Sequence, residues 1–595
     1  MEQKTFNGEN DELFKYLGAH REKNGYYFRV FAPNALKIEL IGDFNNWNGK
    51  NHRMQKIHPK GFYEIFIDNI PEYSKYKYHI YGKNKKWFDK ADPFAFFSEL
   101  RPNNASLTFD INNYTFKDQS WINKRDKCFN KPLNIYELHL GSWIKKEDNS
   151  YYNYEEIADK IIKYVKDNKY THIEIMPLTE YPFDGSWGYQ CSGYFSITSR
   201  YGNPNQFKIL VDKLHKANIG IIMDYVLVHF VKDDFGLRKF DGDYLFESPI
   251  KELRESPWNT NLFDFSNPFV MSFILSSINY LISYYHLDGI RFDAISNLIY
   301  HQGNKNLKEN ESGLNFLKKM NYIIAKKHPT VMLIAEDSSD YSKVTAPTFE
   351  NGLGFDYKWD LGWMNDTLNY LSIDPLFRGK HLNKINFSMY YFYSERFLLP
   401  LSHDEVVHMK HTIINKIWGN YQQKFSQLKT LYTYMFTHPG KKLNFMGNDL
   451  ALFDEWNEND KINFDILHFP IHDSFHKYFQ NLSSLYKKET ALYKDEYNYE
   501  NFKWIMCDNP QNIFIYKRIY KNNELVVVLN FSNQSFEYFN FNINHSKGKY
   551  IEILNSDNFE FSGNNYINNY DIGINSSSIG IKIPALGAII LKYYK

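Results

Sequence analysis

Cysteine is scarce: Cys128, Cys191 and Cys507 are the only three in 595 residues. They are odd in number and far apart, which argues against a disulfide framework or a metal knuckle and agrees with a reducing compartment. An excess of charge is missing too. Lys and Arg number 70 against 69 Asp and Glu, a formal net charge of +1, so nothing electrostatic suggests nucleic acid or an anionic membrane as partner. The first ten residues hold no apolar stretch, and a secretion signal is not expected. One uncharged run, 268–287, approaches membrane-spanning length. Ser272, Ser276, Ser277, Asn279 and Ser283 interrupt it, and Asn267-Pro268 reads as a helix cap with proline at the first position. A buried helix of a cytoplasmic protein is expected there.

Aromatic side chains are abundant, 18% with 48 Tyr and 49 Phe. A compositional drift towards Tyr, Phe, Asn and Lys and a habit of stacking rings on sugars both produce this, and composition does not separate them. The length exceeds that of a single core, so roughly two to four domains are expected.

Residues 1–20 read as a short polar lead-in. From Gly25 short β runs follow at 26–31, 36–41, 62–67 and 76–81, separated by Pro, Gly and Asn turns, which predicts a β-sandwich. Asp43-Phe-Asn-Asn-Trp47 is a turn whose tryptophan suits either packing or sugar stacking. From about Leu133 the texture changes. Strand-like runs at 135–139, 172–176, 221–226, 290–294, 331–336, 397–402 and 443–446 alternate with helical patterns, among them 206–217 and 313–327. An eighth strand is expected near 355–363. About eight βα units in roughly 350 residues predict a (β/α)8 barrel of TIM type. Beyond about Lys487 the pattern is β again, at 513–520, 525–531, 538–543 and 579–591. The expected division is a lead-in at 1–20, a β-sandwich module at 21–115, a barrel at 116–490 and a C-terminal β-sandwich at 491–595.

The chain is organised around His286-Leu-Asp-Gly-Ile-Arg-Phe-Asp-Ala-Ile-Ser296. Strand side chains alternate, so Arg291 and Asp293 share one face. Burying them is costly unless they are paired or used, and a purely structural ion pair is one reading. Other strand ends carry charge in the same manner: Asp224 with His229, then Glu336, then His403 with Asp404. Barrel strands converge at their C-terminal ends, where barrel active sites lie. Carboxylates there, with no nearby cysteine nucleophile or phosphate loop, suit acetal chemistry, and a retaining mechanism needs two of them about 5–5.5 Å apart. Asp293 is the better nucleophile because Arg291 holds it ionised. Glu336, with no cation adjacent in sequence, suits the general acid. Asp404 would steady the oxocarbenium charge or grip ring hydroxyls, with His229 and His403 as donors. His403-Asp-Glu-Val-Val-His408 spaces its histidines by five, which does not put them on one helix face for zinc. Gly352-Leu-Gly354 lacks a dinucleotide-binding context.

Taken together these strand ends resemble the four signature regions of the α-amylase-type glycoside hydrolase family, most closely its glucan branching enzymes. The regions are Asp224-Tyr-Val-Leu-Val-His229, Asp288-Gly-Ile-Arg-Phe-Asp-Ala294, Ile334-Ala-Glu-Asp337 and Leu401-Ser-His-Asp-Glu-Val-Val-His408. Tyr136-Glu-Leu-His-Leu-Gly-Ser-Trp143, Ser186-Trp-Gly-Tyr-Gln190, Asp356-Tyr-Lys-Trp359 and His438-Pro-Gly-Lys-Lys442 match as well. The first β domain, with Gly42-Asp-Phe-Asn-Asn-Trp47 and Ala91-Asp-Pro93, looks like the family's glucan-binding module. The resemblance covers about residues 20–595, and the extra N-terminal module of some relatives is expected to be absent. It implies Asp293 as nucleophile, Glu336 as acid/base and Asp404 as transition-state stabiliser. Tyr189, Asp224, His229, Arg291 and His403 would line the sugar site, with Tyr189 stacked under the ring. It implies α-1,4-glucan polymers as substrate, no cofactor and no catalytic metal; oligomeric state is left open. An α-glucan hydrolase or a non-catalytic glucan binder on the same scaffold are the alternatives. Met409 departs from the glycine usual after the region-four histidine. Asp449 and Leu452 depart from a Glu and a Gln, which bears on acceptor binding or on support behind the site.

Overall fold

The computed structural model describes residues 2–595. Eight parallel strands close into a barrel: β1 (Asn134–Leu138), β2 (His172–Ile175), β3 (Gly220–Tyr225), β4 (Gly289–Phe292), β5 (Met332–Ala335), β6 (Tyr357–Trp359), β7 (Phe397–Leu401) and β8 (Lys441–Phe445), neighbours in that order. Every residue of β1 to β8 is buried, polar ones such as Glu137, Asp224, Arg291 and Lys442 included; with both faces covered, the strands show no in-and-out alternation. β6 is the strand the sequence pattern leaves undefined. It is three residues long and ends where Asp360 Oδ1 accepts the Trp363 N–H at 2.8 Å to start the next helix.

Packing divides the chain into two compact units. The first holds residues up to 127 with 139–162 and 174–356; the second holds 128–138, 163–173 and 357–595. In the first unit, two N-terminal sheets form the expected β module. One pairs Gly18–Glu22, Gly25–Phe31, Phe62–Asp68 and Gln55–His58; the other is built on Ala35–Gly42 and Lys75–Gly82. The second of these strands alternates strictly between buried and half-buried positions, as a sheet with one face on a core requires. Residues 2–17 are more than the polar lead-in expected of them. Leu13, Phe14 and Leu17 are buried, because this segment folds onto the helix that carries the uncharged run.

That helix is α2 (Pro268–Tyr285), preceded by α1 (Pro204–Lys216) and followed by α3 (Glu311–Lys327). Asn267 Oδ1 caps α2 by accepting the Phe269 N–H at 3.0 Å. Three of the serines that interrupt the run satisfy backbone groups of neighbours. Ser272 Oγ accepts the Asn10 N–H at 3.3 Å, Ser276 Oγ accepts that of Phe14 at 3.1 Å, and Ser277 donates to the Tyr194 carbonyl at 2.6 Å. Among the described residues no helix is long and apolar enough to cross a membrane.

The second unit carries the C-terminal β domain. Its six-stranded sheet runs in the order Phe502–Met506, Ile513–Tyr520, Asn523–Asn530, Ala588–Tyr594, Lys549–Asn555 and Ile572–Gly573, beside a pair formed by Phe536–Asn542 and Ser578–Ile583. The run expected as one strand over 579–591 is two. Pro584 lacks a ladder donor and Leu586 takes a left-handed φ of 51°, so the chain turns between them. Ile515, Val526, Val528, Ile581 and Ile589 share one core.

Beneath β4 lies a buried ionic cluster. Asp288 Oδ2 accepts the Ile221 N–H at 2.7 Å and faces His215 Nε2 at 3.0 Å, while His215 Nδ1 lies 2.8 Å from Asp118. Trp121 Nε1 donates to Asp288 Oδ1 at 2.8 Å. Burial works against the His215 charge, but Asp288 and Asp118 outweigh it and carry the imidazole up to about 9. A folded pKa raised above the ordinary 6.5 makes a stabilisation that is complete below pH 6.5 and disappears as pH climbs through 9. Urea titrations at pH 6 and pH 9.5 are expected to differ by on the order of 3 kcal/mol from this group. His215→Gln, which supplies only one donor end, should be less stable at pH 6 and lose much of that pH dependence.

Candidate active site

Three of the charged strand ends, those carrying Asp224, Arg291 with Asp293, and Glu336, come together. In the first unit β3, β4 and β5 lie side by side, with Asp224 paired in register to Arg291 and Arg291 to Ile334. The Arg291 guanidinium is the hub. Its Nη1 donates to Asp224 Oδ2 at 2.5 Å and to Asp293 Oδ1 at 3.0 Å, and its Nη2 donates to Glu336 Oε2 at 2.8 Å. Arg291 and Asp224 are buried, whereas Asp293 and Glu336 each keep 16% of the side chain open to solvent. Burial alone disfavours the Arg291 charge, but Asp224 and then Glu336 outweigh it and hold its pKa well above the ordinary value.

Glu336 differs from expectation. It has no cation adjacent in sequence, yet strand pairing brings Arg291 onto it, so it is not the uncompensated acid that the linear pattern suggests. Two donors land on the same oxygen: Arg291 Nη2 and the Ala294 N–H, at 2.9 Å from Oε2. The second requires Ala294 to adopt φ 47°, a left-handed conformation costing about 1–2 kcal/mol for a residue with a Cβ. Neither donor reaches Oε1.

Tyr189 reaches the same cluster, its hydroxyl donating to Asp224 Oδ2 at 2.5 Å. The turn before it depends on Gly188, whose φ is 97° and where a Cβ would lie 2.3 Å from the Pro177 carbonyl oxygen. Asp224 Oδ1 and His229 Nδ1 are buried without a hydrogen-bond partner among the described residues. Burial pushes His229 down to about 4, so at neutral pH it is an uncharged donor and acceptor. Its ring packs against Trp258, centroids 5.1 Å apart. Orphaned polar atoms beside a carboxylate pair are what hydroxyl groups of a sugar would satisfy.

In the second unit Asp404 and His403 follow β7. His403 Nδ1 lies 2.5 Å from Glu137 Oε1, the His403 N–H donates to Glu137 Oε2 at 3.1 Å, and His403 Nε2 lies 3.7 Å from Asp404. Glu137 is a residue to which the sequence reading gives no role. The signal for it is its position at the end of β1, next to β8, which pairs with β7. Asp404 itself is open, with 52% of its side chain exposed. The loop behind it is held by Lys416, whose Nζ donates to the carbonyls of Glu405, Lys410 and His411 at 2.5, 2.6 and 3.0 Å. Met409, at the position where glycine was expected, adopts φ 63°. Glu455 offsets the strain by accepting the N–H groups of Met409 and His411 at 2.9 and 2.6 Å. Asp449 is buried and accepts the hydroxyls of Tyr164 and Tyr170 at 2.8 and 3.0 Å; burial pushes its carboxyl up. Its place is therefore in the support behind β8. Among the described residues no three His, Cys, Asp or Glu side chains converge as a metal site.

The fold and this arrangement define an α-amylase-type barrel enzyme with an accessory carbohydrate-binding module. Residues 16–95 match carbohydrate-binding module 48 (isoamylase N-terminal domain), 153–239 the α-amylase catalytic domain and 504–594 the α-amylase C-terminal all-β domain. Two solved structures share the fold at 17% identity: a putative α-amylase from Salmonella typhimurium, at TM-score 0.70 over 97% of this chain and 100% of that one, and a pullulanase from Bacillus acidopullulyticus, at 0.74 over 97% and 74%. Curated relatives are nearer. The 1,4-alpha-glucan branching enzyme GlgB of Fusobacterium nucleatum is 42% identical, covering 100% of this chain and 99% of its own length. That of Bacillus cytotoxicus is 42% identical over 98% and 93%. The chain belongs to the 1,4-alpha-glucan branching enzyme family.

Proposed function

We propose that this chain cleaves an α-1,4-glucan and transfers the fragment to a glucose 6-hydroxyl, making an α-1,6 branch through a covalent intermediate on Asp293. The observation that carries the reading is one buried guanidinium bonded to both Asp293 and Glu336 at adjacent strand ends. A retaining pair needs its two carboxylates close together, about 5–5.5 Å apart, and a shared guanidinium holds these two near each other. Asp293 Oδ attacks C1 as the C1–O4 bond breaks, and the Glu336 carboxyl gives its proton to O4. An acceptor 6-hydroxyl then attacks C1, the bond to Asp293 breaks, and the hydroxyl proton passes to Glu336. Tyr189, Asp224 and His229 hold the ring; for His403 and Asp404 the family resemblance supports a sugar contact and stabilisation of the oxocarbenium charge. No step calls for a cofactor or a metal. Three thiols without a disulfide support a cytoplasmic setting.

The test is incubation with amylose, following iodine absorbance, reducing ends and α-1,6 signals by proton NMR. Branching gives falling iodine colour, new α-1,6 signals and few new reducing ends. Reducing ends that rise in step with the colour loss would mean a hydrolase. Binding without any change in the three signals would mean a non-catalytic glucan binder.

A further inference from the structure

Within the first unit a trough of about 520 Å³ opens between the loop that follows β3 and the loop that follows β4. Its floor is Val228, Phe263 and Leu298, all buried; Ile250, Leu253 and Leu307 stand exposed along its rim. Gln302 Nε2 donates to the Glu252 carbonyl at 3.4 Å, tying the two walls. Between the apolar surfaces lie Ser248, Asp264, Asn297, His301 and Ser312. The volume falls in the ~300–1,000 Å³ range of ligand sites. The lining alternates apolar patches with hydroxyl, amide and carboxylate groups. A glucan chain presents the same alternation, with apolar ring faces between hydroxyl edges.

The inner end of the trough is linked to the acid/base. Leu298 and Asn297 begin one short turn after Asp293. The Asn297 N–H donates to the Ala294 carbonyl at 3.1 Å, and the Ile295 N–H to the Glu336 carbonyl at 3.0 Å. The Ala294 N–H holds the Glu336 carboxylate itself. In a retaining transfer the incoming hydroxyl must deliver its proton to the acid/base. The wall of the trough is thus continuous with the segment bonded to Glu336, the group to which an acceptor hydroxyl gives up its proton. We infer that this trough is the cradle of the acceptor α-glucan chain, with Leu253 and Leu307 as ring contacts and the polar lining as hydroxyl partners. The inference rests on the branching reading above.

The test uses the full-length enzyme with amylose as donor and acceptor. Leu307→Trp should fill the trough, and Leu307→Asp should remove an apolar contact at an exposed position that tolerates substitution. Each is expected to raise the ratio of new reducing ends to new α-1,6 links, about tenfold for Leu307→Trp and less for Leu307→Asp, because cleaved fragments go to water when no acceptor is held. A folding defect lowers cleavage and transfer together and leaves the ratio unchanged. Unchanged ratios in both variants, with cleavage rates near those of the parent and branching intact in it, overturn the acceptor cradle. Absence of α-1,6 links in the parent enzyme overturns the branching reading instead. Loss of cleavage and transfer in step, with KM for amylose raised and the proteins folded, assigns the trough to the donor chain and also overturns the inference.

Discussion

Asp293→Asn is expected to lower turnover on amylose by at least about 10³-fold while leaving glucan affinity within a few-fold of the parent. The magnitude follows from removing the group that forms the covalent bond: losing a nucleophile that acts in concert with its partners costs several orders of magnitude in kcat. Affinity survives because the amide keeps the shape of the carboxylate and because, in the proposed site, Tyr189, Asp224 and His229 also hold the ring, and their placement does not depend on Asp293. Equilibrium binding to maltoheptaose and initial rates on amylose measure the two quantities separately. Turnover close to that of the parent would remove Asp293 from the mechanism and favour the reading of the Arg291–Asp293 pair as purely structural.

Arg291→Met is expected to cost about 3–5 kcal/mol of stability, the usual result of leaving buried charges without their partner. Here three carboxylates lose the same cation. Arg291→Lys should fold better, yet lose about 10²-fold or more in kcat. A single ammonium cannot span Asp224, Asp293 and Glu336 as the planar guanidinium does, and Asp293 and Glu336 would drift from their common geometry. Urea titration separates the stability term from the rate term. A lysine variant with full activity would show that the spacing of the carboxylates is set elsewhere.

The sequence carries much of this, and where it falls short the reason is physical. β5 and β7, buried on all sides, are legible because they are apolar for their full length, and the cap at Asn267 marks the start of α2 because side-chain oxygens at helix starts have one main use. β6 is hard to read because three residues are too few to display any period. The roles proposed for Asp293 and Asp404 rest on strand-end position and resemblance, both visible in one dimension. The surroundings of Glu336 are not visible there. Its contact with Arg291 depends on the registers of β3, β4 and β5, a cross-strand relation that linear spacing does not encode. The same holds for Glu137 and His403, whose partnership spans 266 positions. Met409 reads as a departure from glycine, and only its left-handed φ tells what the departure costs.

One pairing has a consequence for biosynthesis. β1 is parallel to β8, with Asn134 opposite Lys442 and Glu137 opposite Phe445. A ribosome adding about 5–20 residues per second makes β8 some 15–60 s after β1 has left it. Until then one edge of β1, a strand fully buried in the finished fold, has no permanent neighbour, and such edges invite aggregation. The nascent chain is thus a client for holding chaperones over that interval, and its yield in cells should depend on translation speed more than its final stability suggests.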